Sequence, residues 1–198
     1  MLKCTMIHSF PREYFDLYRM AENGFTFRQW NNEVLRLANS RELNFDDDAK
    51  NKFKGDMLEV FSEIFFKQFE SDESLGITEY QPIDINDDYG VDARGINVNG
   101  KQTAIQVKYR SNPEDRISYA DIARTFTSAV LQLHMKDVID NDRTVFLFTN
   151  AGGVTGAFDT VMQKKTVIIT RGVISTKVDN NVTFWKNAYD LIYRTLDN

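Results

Sequence analysis

Three side chains in one short stretch have the types and spacing to do chemistry: Asp92, Gln106 and Lys108. A carboxylate and a carboxamide offer oxygen donors to a hard cation, and an ammonium two residues further on offers a counter-charge to a phosphate. All three fall between Asp87 and Arg110, in DDYGVDARGINVNGKQTAIQVKYR, where two β-prone runs meet at Asn99-Gly100. That dipeptide between such runs is a strong hairpin signal. On the second run Ile105, Val107 and Tyr109 alternate with Gln106 and Lys108. On the first, Asp92 and Arg94 share one side and Val91 and Ala93 take the other. One face of one hairpin could thus gather a metal and phosphate site.

The turn decides whether it does. A two-residue Asn99-Gly100 turn sets Asp92 across from Val107, and directly opposed residues share a face. Asp92 would then point away from Gln106 and Lys108. A three-residue loop, Val98-Asn99-Gly100 with glycine in the left-handed region, pairs Asp92 with Gln106 instead, and a β-bulge has the same effect. A site on this hairpin requires one of these corrections of parity.

The elements that must position the hairpin follow from periodicity and punctuation. Residues 10–23 predict a helix with Pro11 in its first turn, and Thr26 predicts the cap of a second helix over 27–39, with Trp30 as a core anchor. Asp46, Asp47 and Asp48 read as the acidic first turn of a long helix to about Glu70 rather than as a metal cluster. Along its less apolar side Glu59, Glu63, Phe66 and Glu70 recur at helical spacing, which periodicity alone reads as a solvated face. A strand over 77–85 precedes the hairpin, with Asp84, Asp87 and Asp88 as solvated turn residues between them. A polar loop over 111–118 follows, and Ser118 caps a helix to about Met135. The apolar run 143–149 predicts a central strand buried on both faces. Asn150-Ala151-Gly152-Gly153 resembles a strand-to-helix turn but lacks the Lys-Ser/Thr ending of a phosphate-binding loop. A short helix near 155–163, a strand over 165–170 and a closing helix over 181–196 complete an α/β pattern with an N-terminal helical cap over residues 1–45.

Composition narrows the class further. With 42% hydrophobic and 27% charged residues, the chain reads as an ordinary globular protein. No apolar run approaches the roughly 18 residues needed to span a bilayer. The first residues carry no secretory pattern, so a cytoplasmic location is expected. Cys4 is the single cysteine, which excludes a disulfide scaffold, and the two histidines, His8 and His134, are too few and too separated for a zinc site. The net charge of −5 is uneven: residues 1–100 hold 11 Lys/Arg against 19 Asp/Glu, whereas residues 101–177 hold 11 against 7. A local basic surface is all that a nucleic-acid partner demands.

Three segments together resemble a known superfamily: Lys54-Gly55-Asp56-Met57-Leu58-Glu59, Gly90-Val91-Asp92, and Ile105-Gln106-Val107-Lys108. Their order and placement are similar to the PD-(D/E)XK nucleases, and most to the Mrr-like restriction-endonuclease branch, over residues 53–175. The later Phe146-Leu147-Phe148-Thr149-Asn150 run fits the same branch. The resemblance implies a restriction-endonuclease-like core, a mixed central sheet flanked by helices, over residues 46–198. It also implies a Mg²⁺-dependent endonuclease acting on DNA, with Mn²⁺ able to substitute. Two departures stand out: Gln106 replaces the commoner acid, as it does in the Mrr-like branch, and Val91-Asp92 replaces the proline-aspartate step. A neutral Gln106 brings less charge to a cation.

The resemblance assigns roles residue by residue. Asp92 is the principal metal ligand, Gln106 adds its amide oxygen, Val107 its backbone carbonyl, and Glu59 a direct or water-mediated contact. Lys108 orients the attacking water or stabilises developing charge. Glu63, one turn beyond Glu59, is an accessory candidate. Arg94, Arg110 and Arg124 are candidates for phosphate contact. Host cytoplasm is the expected location for a phage-encoded or restriction enzyme. Cutting both strands calls for a homodimer or for sequential nicks. The alternatives are a catalytically idle nuclease fold that binds DNA or a protein, and the nuclease module of a larger helicase or restriction assembly.

Overall fold

In the computed structural model, residues 1–23, 25–40, 45–83, 90–112, 114–155 and 160–197 are described. Asp84, Asp87 and Asp88 lie outside them. The chain separates into two units, residues 1–64 with 171–198, and residues 65–170. The sequence expectation placed the division near residue 45.

The first unit is helical. Its described elements include 3₁₀ helices over Thr5–Ser9 and Arg12–Asn23, then α1 (Phe27–Ala38) and most of α2 (Asp47–Gln68). Thr26 closes a reciprocal capping box with Gln29 at the start of α1. The helix expected over 10–23 is present and takes the 3₁₀ form over Arg12–Asn23. Phe15 and Tyr18, three residues apart and both buried, share a face under either period, so spacing does not separate the two. The later helices α6 (Arg171–Val178) and α7 (Val182–Leu196) join this unit, and α6 was not expected. Trp30 and Trp185 are wholly buried and pack against the Phe61 ring at centroid distances of 4.6 and 5.9 Å. The Trp185 indole N–H donates to the Val178 carbonyl at 2.8 Å, which satisfies the one polar atom of a buried ring.

The second unit is a mixed sheet flanked by helices. Its strands are β1 (Ile77–Pro82), β2 (Ala93–Asn97), β3 (Gln102–Lys108), β5 (Val145–Thr149) and β7 (Thr166–Ile169), in spatial order β1-β2-β3-β5-β7. The first three are antiparallel, and β5 and β7 run parallel to β3. The helix α3 (Tyr119–Leu131) carries the crossover from β3 to β5, with Ser118 and Asp121 forming its capping box. The short α4 (Lys136–Asp140) follows. Two-residue strands β4 (Arg116–Ile117) and β6 (Gly153–Val154) pair with each other, so the expected Gly152-Gly153 turn feeds a ladder. A short α5 (Thr160–Lys165) leads into β7.

Alternation along the buried strands sorts the two faces. Ala104, Val145 and Leu147 join Ile122, Ala129 and Val138 in one core beneath α3 and α4. Phe146 and Phe148 point the other way and meet the Phe66 ring from the last turns of α2 at 6.2 and 5.7 Å. Every residue of β5 is buried, as its unbroken apolar run predicted. Among the described residues no helix is long and apolar enough to cross a membrane.

Candidate active site on the central hairpin

The hairpin makes the parity correction that a site there requires. The Asn97 N–H donates to the Lys101 carbonyl at 3.0 Å and the Gly100 N–H to the Asn97 carbonyl at 2.9 Å, closing a three-residue loop over Val98, Asn99 and Gly100. Gly100 has φ of +70°, a conformation that side-chain-bearing residues adopt at a cost. The Asn97 side chain reinforces the loop by accepting from the Asn99 and Lys101 N–H groups. The register then pairs Ala93 with Ile105 and Arg94 with Ala104, so the next step brings Asp92 level with Gln106.

At that step the ladder becomes irregular. The Asp92 N–H donates to the Ile105 carbonyl at 2.9 Å, while its carboxylate Oδ2 accepts from the Val107 N–H at 2.5 Å. Asp92 is thereby held across the strand against the backbone of the residue between Gln106 and Lys108. Gln106 is buried beneath α3, and its Oε1 accepts a short hydrogen bond from the Thr125 hydroxyl. Lys108, one same-face step further, lies with its Nζ 3.8 Å from Asp121 Oδ1. Arg110 donates to the other oxygen, Oδ2, at 2.9 Å.

Asp121 thus gathers the cations at the end of β3. Burial pulls its carboxyl upward, but the Ser118 N–H and hydroxyl, Arg110 and Lys108 outweigh that effect and hold it below the usual carboxylate range. The Arg124 side chain lies over Gly90, where an added Cβ would meet Arg124 Cδ at 3.4 Å. Gly90 has φ of +90°, so a larger residue there is disfavoured by conformation, while the contact with Arg124 is an ordinary van der Waals one. Asn150, wholly buried at the end of β5, accepts from the Arg110 N–H at 2.7 Å and donates to the Arg110 carbonyl at 2.9 Å. Its carboxamide continues the β3 ladder where backbone pairing stops, instead of facing a phosphate.

The helix acids belong to the first unit. Glu59 is half-buried on α2. Glu63, the accessory candidate, is wholly buried, and its two oxygens accept from the Lys3 N–H at 2.7 Å and the Cys4 N–H at 2.8 Å. The expectation of a solvated face along this side of α2 is corrected at Glu63 and Phe66, both buried, because the N-terminal segment and the β5 rings cover them. Burial, with smaller contributions from Glu59, Glu63 and Asp56, pushes the Cys4 thiol up to about 12, so it is an inert packing residue. Lys54 and Asp56 are largely buried, and Asp56 pairs with Lys52 at 2.7 Å.

Of the predicted residues, Asp92, Gln106, Val107, Lys108 and Arg110 come together on one hairpin, with Arg94 exposed further along β2. Asp121 and Thr125 were not anticipated there, and Asn150 was expected only as the end of the 146–150 run and the start of a turn. Of the first two, Asp121 carried a signal, as the third residue after the Ser118 cap. Among the described residues no three or more His, Cys, Asp or Glu side chains are grouped to hold a metal ion. Neither a family model, nor a curated protein, nor a solved structure matches the chain.

Proposed function

We propose that this chain is a metal-dependent phosphodiesterase that cuts DNA, built on a restriction-endonuclease-like core. The observation that carries the reading is the hairpin register, which sets Asp92 level with Gln106 and puts Lys108 on the same face. The order helix, three antiparallel strands, helix, parallel strand supports it further.

The donors are all oxygen, which suits Mg²⁺ or Mn²⁺. An ionised carboxylate has about four acceptor positions and a carboxamide oxygen two, and the bonds from Val107 and Thr125 orient these groups. Asp92 and Gln106 would hold the ion, with the Val107 carbonyl. A cation there supplies charge neutralisation at the phosphate and lowers the pKa of an attacking water. Lys108 offers its ammonium to the charge that develops on the phosphate oxygens, pre-placed by Asp121. Arg110 pairs with the other oxygen of the same carboxylate at 2.9 Å.

The test is Mg²⁺- or Mn²⁺-dependent nicking of plasmid by wild type, Lys108→Ala and Asp92→Ala. Each substitution should lower the rate by about 100-fold or more, as expected for removing preorganised charge stabilisation. Equal nicking by wild type and variants, or none by any of them, overturns the proposal. The neutral Gln106 favours a second reading, a nuclease fold that binds DNA or a protein without cutting it. Metal-independent DNA binding with no nicking would be its signature. A single site cuts one strand, so double-strand cleavage would come from a homodimer, sequential nicks or a larger assembly.

A further inference from the structure

Beside the hairpin, on the α3 face of the sheet, lies a hollow of about 840 Å³ at the edge formed by β1 and β2. Its polar lining comes from three carboxamides, Gln81, Gln102 and Gln132, together with Arg94, Glu79 and His134. Leu133 and Met135 add apolar wall at the end of α3. We propose that this hollow binds a nucleobase of the strand whose phosphate lies at Asp92, Gln106 and Lys108. The proposal rests on the nuclease reading and names the part of the substrate that the site would read.

Four observations carry it. The first is position: Arg94 shares a face of β2 with Asp92, two residues away and therefore roughly 7 Å along the strand. A nucleotide bound by its phosphate at the hairpin can reach that far with its base. The second is chemistry. Carboxamides present a donor and an acceptor side by side, which matches the edge of a base, and an arginine fork presents two donors to the O6 and N7 acceptors of guanine. Arg94 is already steered, because its Nε donates to Gln81 Oε1 at 3.2 Å. The third is charge. One arginine against one glutamate is a poor phosphate trap but suits a neutral polar ring with an apolar face.

The fourth is backbone strain. Among the described residues four non-glycine positions have positive φ, and two of them, Glu79 at +54° and His134 at +53°, line this one hollow. Glu79 sits where the β1–β2 register shifts between Thr78 and Gln81, and such a bulge re-aims the side chains around it. Strained non-glycine conformations persist where a site over-determines them.

The experiment titrates the full chain, in EDTA so that nothing is cut, with each of the four deoxynucleoside monophosphates and with 2-deoxyribose 5-phosphate. Wild type should bind at least one nucleotide and not the sugar phosphate. Gln81→Ala and Gln132→Ala, both at exposed positions, should each weaken that binding by about tenfold and weaken single-stranded oligonucleotide binding in step. Thermal melts matching wild type would show that both variants are folded. Base-dependent binding lost in the variants supports the hollow even if plasmid is never nicked. Binding that is absent, equal for the sugar phosphate, or unchanged in both variants overturns it even if plasmid is nicked.

Discussion

Replacing Glu63 by Gln tests whether this carboxylate is an anchor or a ligand. Its two oxygens hold the Lys3 and Cys4 N–H groups at 2.7 and 2.8 Å inside a fully buried site. Glu63→Gln keeps the shape but turns one acceptor oxygen into an NH₂, which then faces a backbone N–H. One charge-assisted bond, contributing roughly 1.5–3 kcal/mol, is lost, and the remaining bond falls to the neutral value of about 1 kcal/mol. A buried donor left without an acceptor costs about 1–3 kcal/mol more, while the lower burial cost of a neutral amide offsets part of the loss. The net expectation is a destabilisation of about 2–4 kcal/mol, a large share of a typical domain's stability. Urea unfolding followed by tryptophan fluorescence reads it directly, because Trp30 and Trp185 are both buried in the same unit as Glu63. A midpoint and slope indistinguishable from wild type would refute the anchoring argument.

Asn150→Asp should destabilise more than Asn150→Ala in the same assay. Alanine loses two hydrogen bonds, at about 1 kcal/mol each, whereas aspartate adds an unpaired buried charge facing the Arg110 carbonyl. Thr125→Val removes the donor to a buried Gln106 oxygen and should cost about 1–3 kcal/mol, with Thr125→Ser recovering much of it. Asp121 and Asp56 should show opposite pH dependences. The Asp121 carboxyl titrates lower folded than unfolded, so its contribution is complete above about pH 3.9 and is lost as pH falls. The stability gap between wild type and Asp121→Asn should therefore shrink on acidification. Burial raises the Asp56 carboxyl despite Lys52, so the sign reverses and Asp56→Asn should gain on wild type as pH rises above about 4. Parallel pH profiles for the two variants would contradict both assignments.

The candidate site was legible in the sequence to the extent that it is local. Asn99-Gly100 and the alternation of Gln106 and Lys108 specify a hairpin and its faces, and the three-residue loop that a site requires is the one observed. The caps at Thr26 and Ser118 and the buried run at 145–149 were equally local signals. The short helices over 136–140 and 171–178 were not legible, because a one- or two-turn helix offers too few residues to establish a period.

What the amino-acid order determined by itself was therefore backbone conformation over a few residues: where the chain turns, which side chains share a strand face, and which runs are buried. Tertiary structure alone decided the partners of the polar groups. Glu63 meets backbone nearly sixty residues away, Gln106 meets Thr125 across a crossover, and Asn150 completes the ladder at Arg110 forty residues earlier. A buried carboxylate or amide needs a partner wherever the fold supplies one, and sequence spacing carries no record of which distant group that is.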